Sequence, residues 1–90
     1  MSLYWTKRGW EDYLYWQARD REIVAKINAL LQDVARSPYR GLGKPEPLRF
    51  ELAGWWSRRI TQSDRLVYRV AGTGSEQRIE IAQCRSHYAD

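Results

Sequence analysis

Residues 56–70, WSRRITQSDRLVYRV, contain two short segments that are typical of neighbouring β-strands. In the second segment, the apolar residues Leu66, Tyr68 and Val70 alternate with Arg65, Val67 and Arg69, two of which are charged. Polar residues at 62–64 separate the two segments, as expected of a turn. We therefore predict an antiparallel hairpin with strands at 56–61 and 65–70. Because alternate residues of a strand share a face, Arg65 and Arg69 should lie on the same face.

The segments on either side of this hairpin are predicted to add further strands. Residues 48–52 have Leu48, Phe50 and Leu52 at alternate positions, and residues 78–83 place Ile79 and Ile81 in the same way. Residues 38–47 include three prolines and two glycines, which predicts a loop. A second loop is predicted at 71–76, where glycine and serine occur.

The first half of the chain predicts a short strand at residues 3–5 and a pair of helices. Thr6 is a candidate N-cap for the first helix, and Asp20 for the second. The second helix has apolar residues at a period of 3.6, namely Ile23, Ile27, Leu30, Leu31 and Val34. Ser37-Pro38 should end it. The sequence thus predicts a single α+β domain over 1–90, of order βααββββ, with a helical hairpin packed on one face of a mainly antiparallel sheet.

Length and cysteine content exclude several classes of protein. The chain has 90 residues, which is too few for a large enzyme with separate cofactor and substrate domains. It has one cysteine, Cys84, and one histidine, so we expect no disulfide, no metal site and no cofactor. Cys84 is expected to be a small buried hydrophobe beside a strand end. No segment is long and apolar enough to be a secretion signal or a membrane span, so we expect a cytoplasmic protein with no membrane partner.

Positive charge is concentrated in the middle of the chain. The net charge is +4, and 15 lysines and arginines oppose 11 acidic residues. Residues 38–72 hold seven of these cations and three of the acids. Such a local excess is typical of a face that binds phosphate, although a solvated sheet face with unrelated arginines would give the same pattern.

Three features in this part of the chain and at its end could perform acid–base chemistry on RNA. Glu46 lies between two prolines that restrict its backbone, and His87-Tyr88 lies almost at the chain end. The arginines that accompany them are Arg49, Arg58, Arg59 and Arg65. A carboxylate can deprotonate a ribose 2′-OH, an imidazole can protonate the leaving 5′-oxygen, and guanidiniums can stabilise the phosphate. Each residue also has a structural explanation: Glu46 in an ion pair, His87 in solvent, and Arg58 and Arg59 flanking a strand.

Five segments closely resemble the YoeB toxins, a branch of the RelE-type bacterial toxin superfamily. They are residues 10–17 (WEDYLYWQ), 43–48 (GKPEPL), 52–61 (LAGWWSRRIT), 65–68 (RLVY) and 84–88 (CRSHY). The resemblance implies a microbial-ribonuclease-like fold and an endoribonuclease that cleaves messenger RNA in the ribosomal A site. It also implies three partners: the 70S ribosome with its messenger, a YefM-type antitoxin, and a second copy of the chain in a homodimer.

By position, the resemblance implies that Glu46 is the general base, His87 the general acid and Arg65 the group that stabilises the transition state. It further implies that Tyr88 stacks on or orients a base, and that Lys44, Arg49 and Arg59 bind the substrate backbone. Arg58 is a further candidate for substrate binding, and the sequence leaves open whether Arg58 or Arg59 faces the substrate. Two departures from the family pattern are Ser86, where an aromatic residue is common, and the extra residues 89–90. A non-catalytic module that binds RNA, the ribosome or an antitoxin is the alternative function.

Overall fold

A computed structural model describes residues 1–86 of the chain, which form a five-stranded sheet with two helices. The elements are, in order, β1 (Ser2–Trp5), α1 (Lys7–Arg19), α2 (Arg21–Arg36), β2 (Glu46–Pro47), a 3₁₀ turn (Phe50–Leu52), β3 (Trp56–Arg59), β4 (Arg65–Ala71), a second 3₁₀ turn (Gly74–Glu76) and β5 (Arg78–Gln83). In the described part of the chain, no helix is long and apolar enough to cross a membrane.

The strands lie in the order β1-β5-β4-β3-β2. β1 runs parallel to β5, and every other neighbouring pair is antiparallel. The sheet is therefore mixed but mainly antiparallel, which confirms the predicted fold class. Between β4 and β5, Val67 pairs with Gln83 but Tyr68 pairs with Ile81, so Ala82 forms a bulge.

Both helices begin and end where the capping residues predict. The side chain of Thr6 accepts a hydrogen bond from the Gly9 amide at the start of α1. Asp20 follows α1 and caps α2 by accepting from the amides of Glu22 and Ile23. These side chains satisfy amides that would otherwise lack an intrahelical partner. The helical hairpin predicted from the sequence is thus confirmed.

The core lies between one face of the sheet and the apolar stripe of α2. From α2 it includes Ile27, Leu30, Leu31 and Val34, and from the sheet Leu66, Tyr68, Ile79 and Ile81. Cys84, one residue after β5, is fully buried in the same cluster, as predicted. Burial raises the pKa of its thiol to about 12, because the thiolate would lose its hydration.

The predicted strand at 48–52 is wrong. The strand in this region, β2, is only two residues long and pairs with β3 at the edge of the sheet. Pro45 and Pro47 have no amide hydrogen to donate to a longer ladder. Beyond Pro47 the chain turns, and Phe50 adopts a left-handed backbone with a φ of 58° and a side chain that is 92% exposed. The alternation of apolar residues here reflects a 3₁₀ turn and not a strand.

Candidate active site

The sheet face opposite the helices carries Glu46 near its edge. In the register of the sheet, Glu46 lies opposite Ser57, Ser57 opposite Val67, and Val67 opposite Gln83. Residues opposite one another across antiparallel strands share a face. Since Trp56 and Tyr68 pack into the core, the row that starts at Glu46 points the other way. The Glu46 side chain is exposed on this face.

Two arginines on neighbouring strands occupy opposed positions on the same side of the sheet, and the one on β3 is two residues from Ser57. Arg59 and Arg65 are direct partners between β3 and β4. Directly opposed side chains have Cβ atoms about 5 Å apart, and like charges at that distance repel each other. The repulsion is relieved when an anion binds between them. Arg59 lies diagonally across from Glu46 on the neighbouring strand, at about 7–8 Å between backbone positions, and Arg65 is one strand further away.

Arg65 is held by the turn that precedes it. Its Nη1 donates to the carbonyls of Thr61, Gln62 and Asp64 at 2.9, 3.2 and 3.1 Å. All three bonds use one nitrogen, so Nε and Nη2 are not engaged by the turn. The side chain is thereby fixed through Nη1, and two of its donor nitrogens are left for other partners.

The end of the described chain is tied down beside Arg65. The Arg65 amide donates to the carbonyl of Ser86 at 3.1 Å, and the Ser86 amide donates to Oδ1 of Asp64 at 2.6 Å. Gln83 adds bonds from Nε2 to the carbonyls of Arg85 and Ser86. His87 and Tyr88, predicted as acid and stacking residue, lie outside the described residues.

Lys44 and Arg49 flank Glu46 along the chain. The Arg59 amide donates to the carbonyl of Gly43 at 2.7 Å, which places Lys44 beside Arg59. Gly43 has a φ of 79°, and a Cβ there would lie 3.1 Å from the Arg59 carbonyl oxygen, so glycine permits this approach. Arg49 is exposed at the start of the 3₁₀ turn after β2 and lies outside the paired row.

The predicted substrate role of Arg58 is wrong, because its side chain is fully buried on the core side of β3. Its Nη1 donates to Oδ2 of Asp33 at 2.6 Å, and its Nε donates to the hydroxyl of Tyr68 at 3.1 Å. The remaining bonds go to the carbonyls of Ser37, Arg40 and Leu42. Adjacent strand residues point to opposite faces, so Arg58 stabilises the loop at 37–42 while Arg59 faces solvent.

The pKa values of the acid and the phenol next to Arg58 are shifted in opposite directions. A hydrogen bond from the Leu42 amide, together with the guanidiniums of Arg58 and Arg36, lowers the pKa of Asp33 to about 2. Burial raises the pKa of Tyr68, which donates its own proton to the Pro38 carbonyl. Asp33 is therefore ionised and Tyr68 neutral at physiological pH.

Two residues that help to build the site were missed by sequence reasoning, namely Asp64 and Gln83. The sequence indicates only a turn at Asp64, yet its carboxylate also accepts from Thr61 Oγ1 and anchors Ser86. Gln83 ends β5 on the site face and is 7% exposed. Because the partners of Asp64 include a residue 22 positions away, no local pattern indicates this role.

Taken together, an exposed carboxylate and a pair of opposed arginines on one sheet face can accept a proton and bind an anion. Among residues 1–86, no group of three or more histidine, cysteine, aspartate or glutamate side chains is arranged to hold a metal ion.

Comparisons with known proteins identify close relatives of this chain. Residues 5–88 match the sequence model for the YoeB-like toxin of bacterial type II toxin–antitoxin systems. Toxin YoeB of Escherichia coli K12 is 52% identical over 98% of this chain and 100% of its own length. A YoeB/ParE toxin from Agrobacterium tumefaciens has a TM-score of 0.94 at 55% identity and covers 98% of this chain and 100% of its own.

Two structures from Staphylococcus aureus are also similar. One is the YoeB dimer, with a TM-score of 0.84 and 40% identity, and the other is a YoeB–YefM complex, with a TM-score of 0.87 and 39% identity. Each covers 98% of both chains.

Proposed function

This chain belongs to the YoeB-like toxin family of bacterial type II toxin–antitoxin systems, and from that premise we propose that it is a ribosome-dependent endoribonuclease. Its substrate is messenger RNA in the ribosomal A site, and cleavage stops translation. The observation that carries the proposal is the facing pair of Arg59 and Arg65 on the sheet face that also bears Glu46. A phosphate relieves the repulsion of that pair, and a base beside it can start the cleavage.

The reaction needs no nucleophile from the protein. The Glu46 carboxylate takes the proton of a ribose 2′-OH, and the 2′-oxygen attacks the adjacent phosphorus. The bond from phosphorus to the 5′-oxygen then breaks, and His87 supplies the proton to that oxygen. The products are a 2′,3′-cyclic phosphate and a 5′-hydroxyl. DNA lacks the 2′-OH and is therefore not a substrate.

The cationic residues act on the phosphates. Arg65, fixed through Nη1 by the turn at 61–64, stabilises the charge that develops on the phosphorus oxygens. Arg59 and Lys44 bind the neighbouring backbone, and Arg49 extends the cationic surface past β2. Tyr88 stacks on or orients a base next to the cleaved bond. Arg58 has no part in substrate binding, because its side chain is buried.

Dependence on the ribosome follows from the openness of this face. Glu46 and Arg59 are exposed on the sheet. A flexible RNA on such exposed side chains can adopt many orientations. Orientation of the reacting atoms accounts for much of the rate of such reactions. The A site supplies that orientation, so we expect slow cleavage of free RNA. The ribosomal substrate also places the protein in the cytoplasm.

The proposed protein partners are a YefM-type antitoxin and a second copy of the chain. The Staphylococcus aureus relative forms a complex with YefM, and another of its structures is a dimer. Large apolar side chains remain available for such contacts: Trp10 and Leu14, one turn apart on α1, are 45% and 43% exposed, and Leu3 on the edge strand β1 is 47% exposed. Exposed apolar side chains that cluster in this way are typical of interaction surfaces.

The test is cleavage of a defined messenger in a reconstituted translation system. Replacing Glu46 by glutamine keeps the size of the side chain but removes the base, so the single-turnover rate should fall about 10²–10⁴-fold. His87→Gln should give a loss of similar size. Glu51→Gln is the matched control, because Glu51 is an exposed carboxylate five residues away in the 3₁₀ turn. Its rate should equal that of the wild type.

Two results would overturn the proposal in different ways. Undiminished cleavage by both Glu46→Gln and His87→Gln would reject the assigned acid and base. A wild-type protein that binds ribosomes but leaves the messenger intact would instead support a non-catalytic binding module.

A further inference from the structure

A second cationic cluster lies on the same sheet face, beyond the proposed catalytic residues. It consists of Arg69 on β4 and of Arg78 and Glu80 on β5, and we call it the β4–β5 arginine cluster. We propose that this cluster is a second phosphate-binding site for single-stranded RNA, which holds the strand on one side of the cleaved bond. This inference rests on the proposed function, since it concerns the same RNA on the same face.

The cluster is built around a buried carboxylate. The side chain of Glu80 is 8% exposed, whereas those of Arg69 and Arg78 are 46% and 42% exposed. Arg69 donates from Nε to Oε1 of Glu80 at 2.6 Å, and Arg78 donates from Nε to Oε2 at 2.8 Å. The Nη2 of Arg78 lies 2.8 Å from the same oxygen in an ion pair. The two guanidiniums lower the pKa of Glu80, so it is ionised at neutral pH. One carboxylate thus fixes two exposed guanidiniums and leaves the cluster with a net charge of +1.

The same guanidiniums also lie over aromatic rings. The guanidinium carbon of Arg69 lies 4.4 Å from the centroid of the Trp55 ring, and that of Arg78 lies 5.9 Å from the Tyr4 ring. Tyr4 is 55% exposed, so its ring is available beside the charge. Because the arginines are already oriented, less side-chain entropy is lost when a phosphate binds. Exposed arginines interleaved with aromatic rings are typical of surfaces that bind single-stranded nucleic acid.

Register places the cluster in line with the proposed catalytic residues. On β5, Glu80 pairs with Arg69 of the neighbouring strand β4 and with Tyr4 of the other neighbouring strand, β1. Arg69 is four residues from Arg65 along β4, a distance of about 13 Å. Arg65 and Arg69 lie on the same face of the sheet as Val67. An RNA strand with one phosphate at Arg65 would therefore reach Arg69 with a phosphate a few nucleotides away. Continuity with this row favours RNA over an acidic protein segment as the occupant.

The experiment measures binding separately from cleavage. The probe is a fluorescent 2′-O-methyl oligoribonucleotide of about 12 nucleotides, which cannot be cleaved because its 2′-oxygens carry no proton. Its affinity is measured by fluorescence anisotropy at several salt concentrations for the full-length protein and for Arg69→Gln/Arg78→Gln/Glu80→Gln. The carboxylate is replaced together with its partners, so that no unpaired charge is left buried. The affinity should fall about tenfold or more. The slope of log affinity against log salt concentration should become shallower by about 1.4, because each of the two lost phosphate contacts contributes about 0.7.

The matched control changes the same residue types at the helical hairpin, in the form Arg19→Gln/Arg21→Gln/Glu22→Gln. These side chains are exposed and lie on the helices and not on the sheet strands that carry the cluster, so the control should keep the wild-type affinity and slope. Arg78→Gln alone leaves the Arg69–Glu80 pair intact and should lower the slope by about 0.7. Circular dichroism checks that every variant is folded.

Several results would overturn the inference. One is no measurable binding of the probe by the wild type. Another is an equal loss of affinity in the cluster variant and the control, which would indicate an effect of net charge alone. A third is unchanged RNA affinity with weakened binding of a polyglutamate peptide, which would assign the cluster to an acidic protein segment. Cluster-dependent RNA binding by a protein that cleaves no messenger would contradict the proposed function while supporting this site.

Discussion

Replacing Arg58 with lysine should strongly destabilise the protein, whereas the same replacement at Arg59 should have almost no effect. The two residues are adjacent on β3 and carry the same charge, but they point to opposite faces of the sheet. Arg58 is fully buried, and its guanidinium donates five hydrogen bonds within the described part of the chain. Arg59 is exposed.

The size of the effect follows from a count of donors. A lysine ammonium has three donors at a single nitrogen, so at least two of the five acceptors would lose their partner. Each buried polar group left without a partner costs about 1–3 kcal/mol. We therefore expect Arg58→Lys to lower the free energy of unfolding by about 2–6 kcal/mol, and the melting temperature by about 8 °C or more for a domain of this size. Arg59→Lys should change the free energy by less than about 0.5 kcal/mol.

Urea unfolding followed by tryptophan fluorescence measures both values, because Trp16 and Trp56 pack against the core. Equal stabilities of Arg58→Lys and Arg59→Lys would refute the assignment of Arg58 to the core. So would an Arg58→Lys protein that is as stable as the wild type but has lost RNA binding, since that pattern belongs to a surface residue that contacts substrate.

Three other groups give independent tests. The pKa of Asp33 is about 2 in the folded protein and about 3.9 in an unfolded chain. Its ionised carboxylate therefore stabilises the fold above about pH 4, and this stabilisation is lost as the pH falls towards 2. The destabilisation caused by Asp33→Asn, measured by urea unfolding, should therefore be smaller at about pH 2.5 than at about pH 7; an equal effect at both would contradict the shift. Phe50→Asn should raise the melting temperature, since the left-handed backbone costs a residue such as phenylalanine about 1 kcal/mol or more and the exposed ring contributes little packing; a lower melting temperature would argue against strain at this position. The Cys84 thiol, with a pKa of about 12, should react with a thiol reagent at about pH 8 at least about 100-fold more slowly in the native protein than in urea; equal rates would mean that the thiol is accessible.

The fold was predictable where local signals and burial agree. Thr6 and Asp20 cap the helices because their side chains satisfy amides only a few residues away, and such short-range chemistry is visible in the sequence. β5 has the predicted bounds, since its alternation reflects one buried face. The prediction failed at 48–52, where alternation arises in a turn and Pro45 and Pro47 restrict pairing.

The residues of the candidate site stand out in the sequence, but their arrangement does not. Proline-flanked Glu46 and the arginines of the hairpin stand out by composition, and register then places Glu46, Arg59 and Arg65 on one face. Whether Arg58 or Arg59 faces outward depends on the register of β3 against α2 and the core, which a run of two arginines does not encode. The contact of Asp64 with Ser86 is a tertiary one across 22 residues, and nothing local indicates it.

The buried and exposed arginines of β3 are nevertheless linked through the loop between α2 and β2. Arg58 binds the carbonyls of that loop from Ser37 to Leu42, and the Arg59 amide binds the next carbonyl along, that of Gly43. The chain then continues to Glu46, which pairs with Ser57. Since β2 has only two residues, its own ladder is too short to fix the backbone of Glu46. The core-side arginine therefore helps to position the loop that leads to the proposed base. An activity lost on substitution of Arg58 thus reports on the position of this loop and not on contact with RNA.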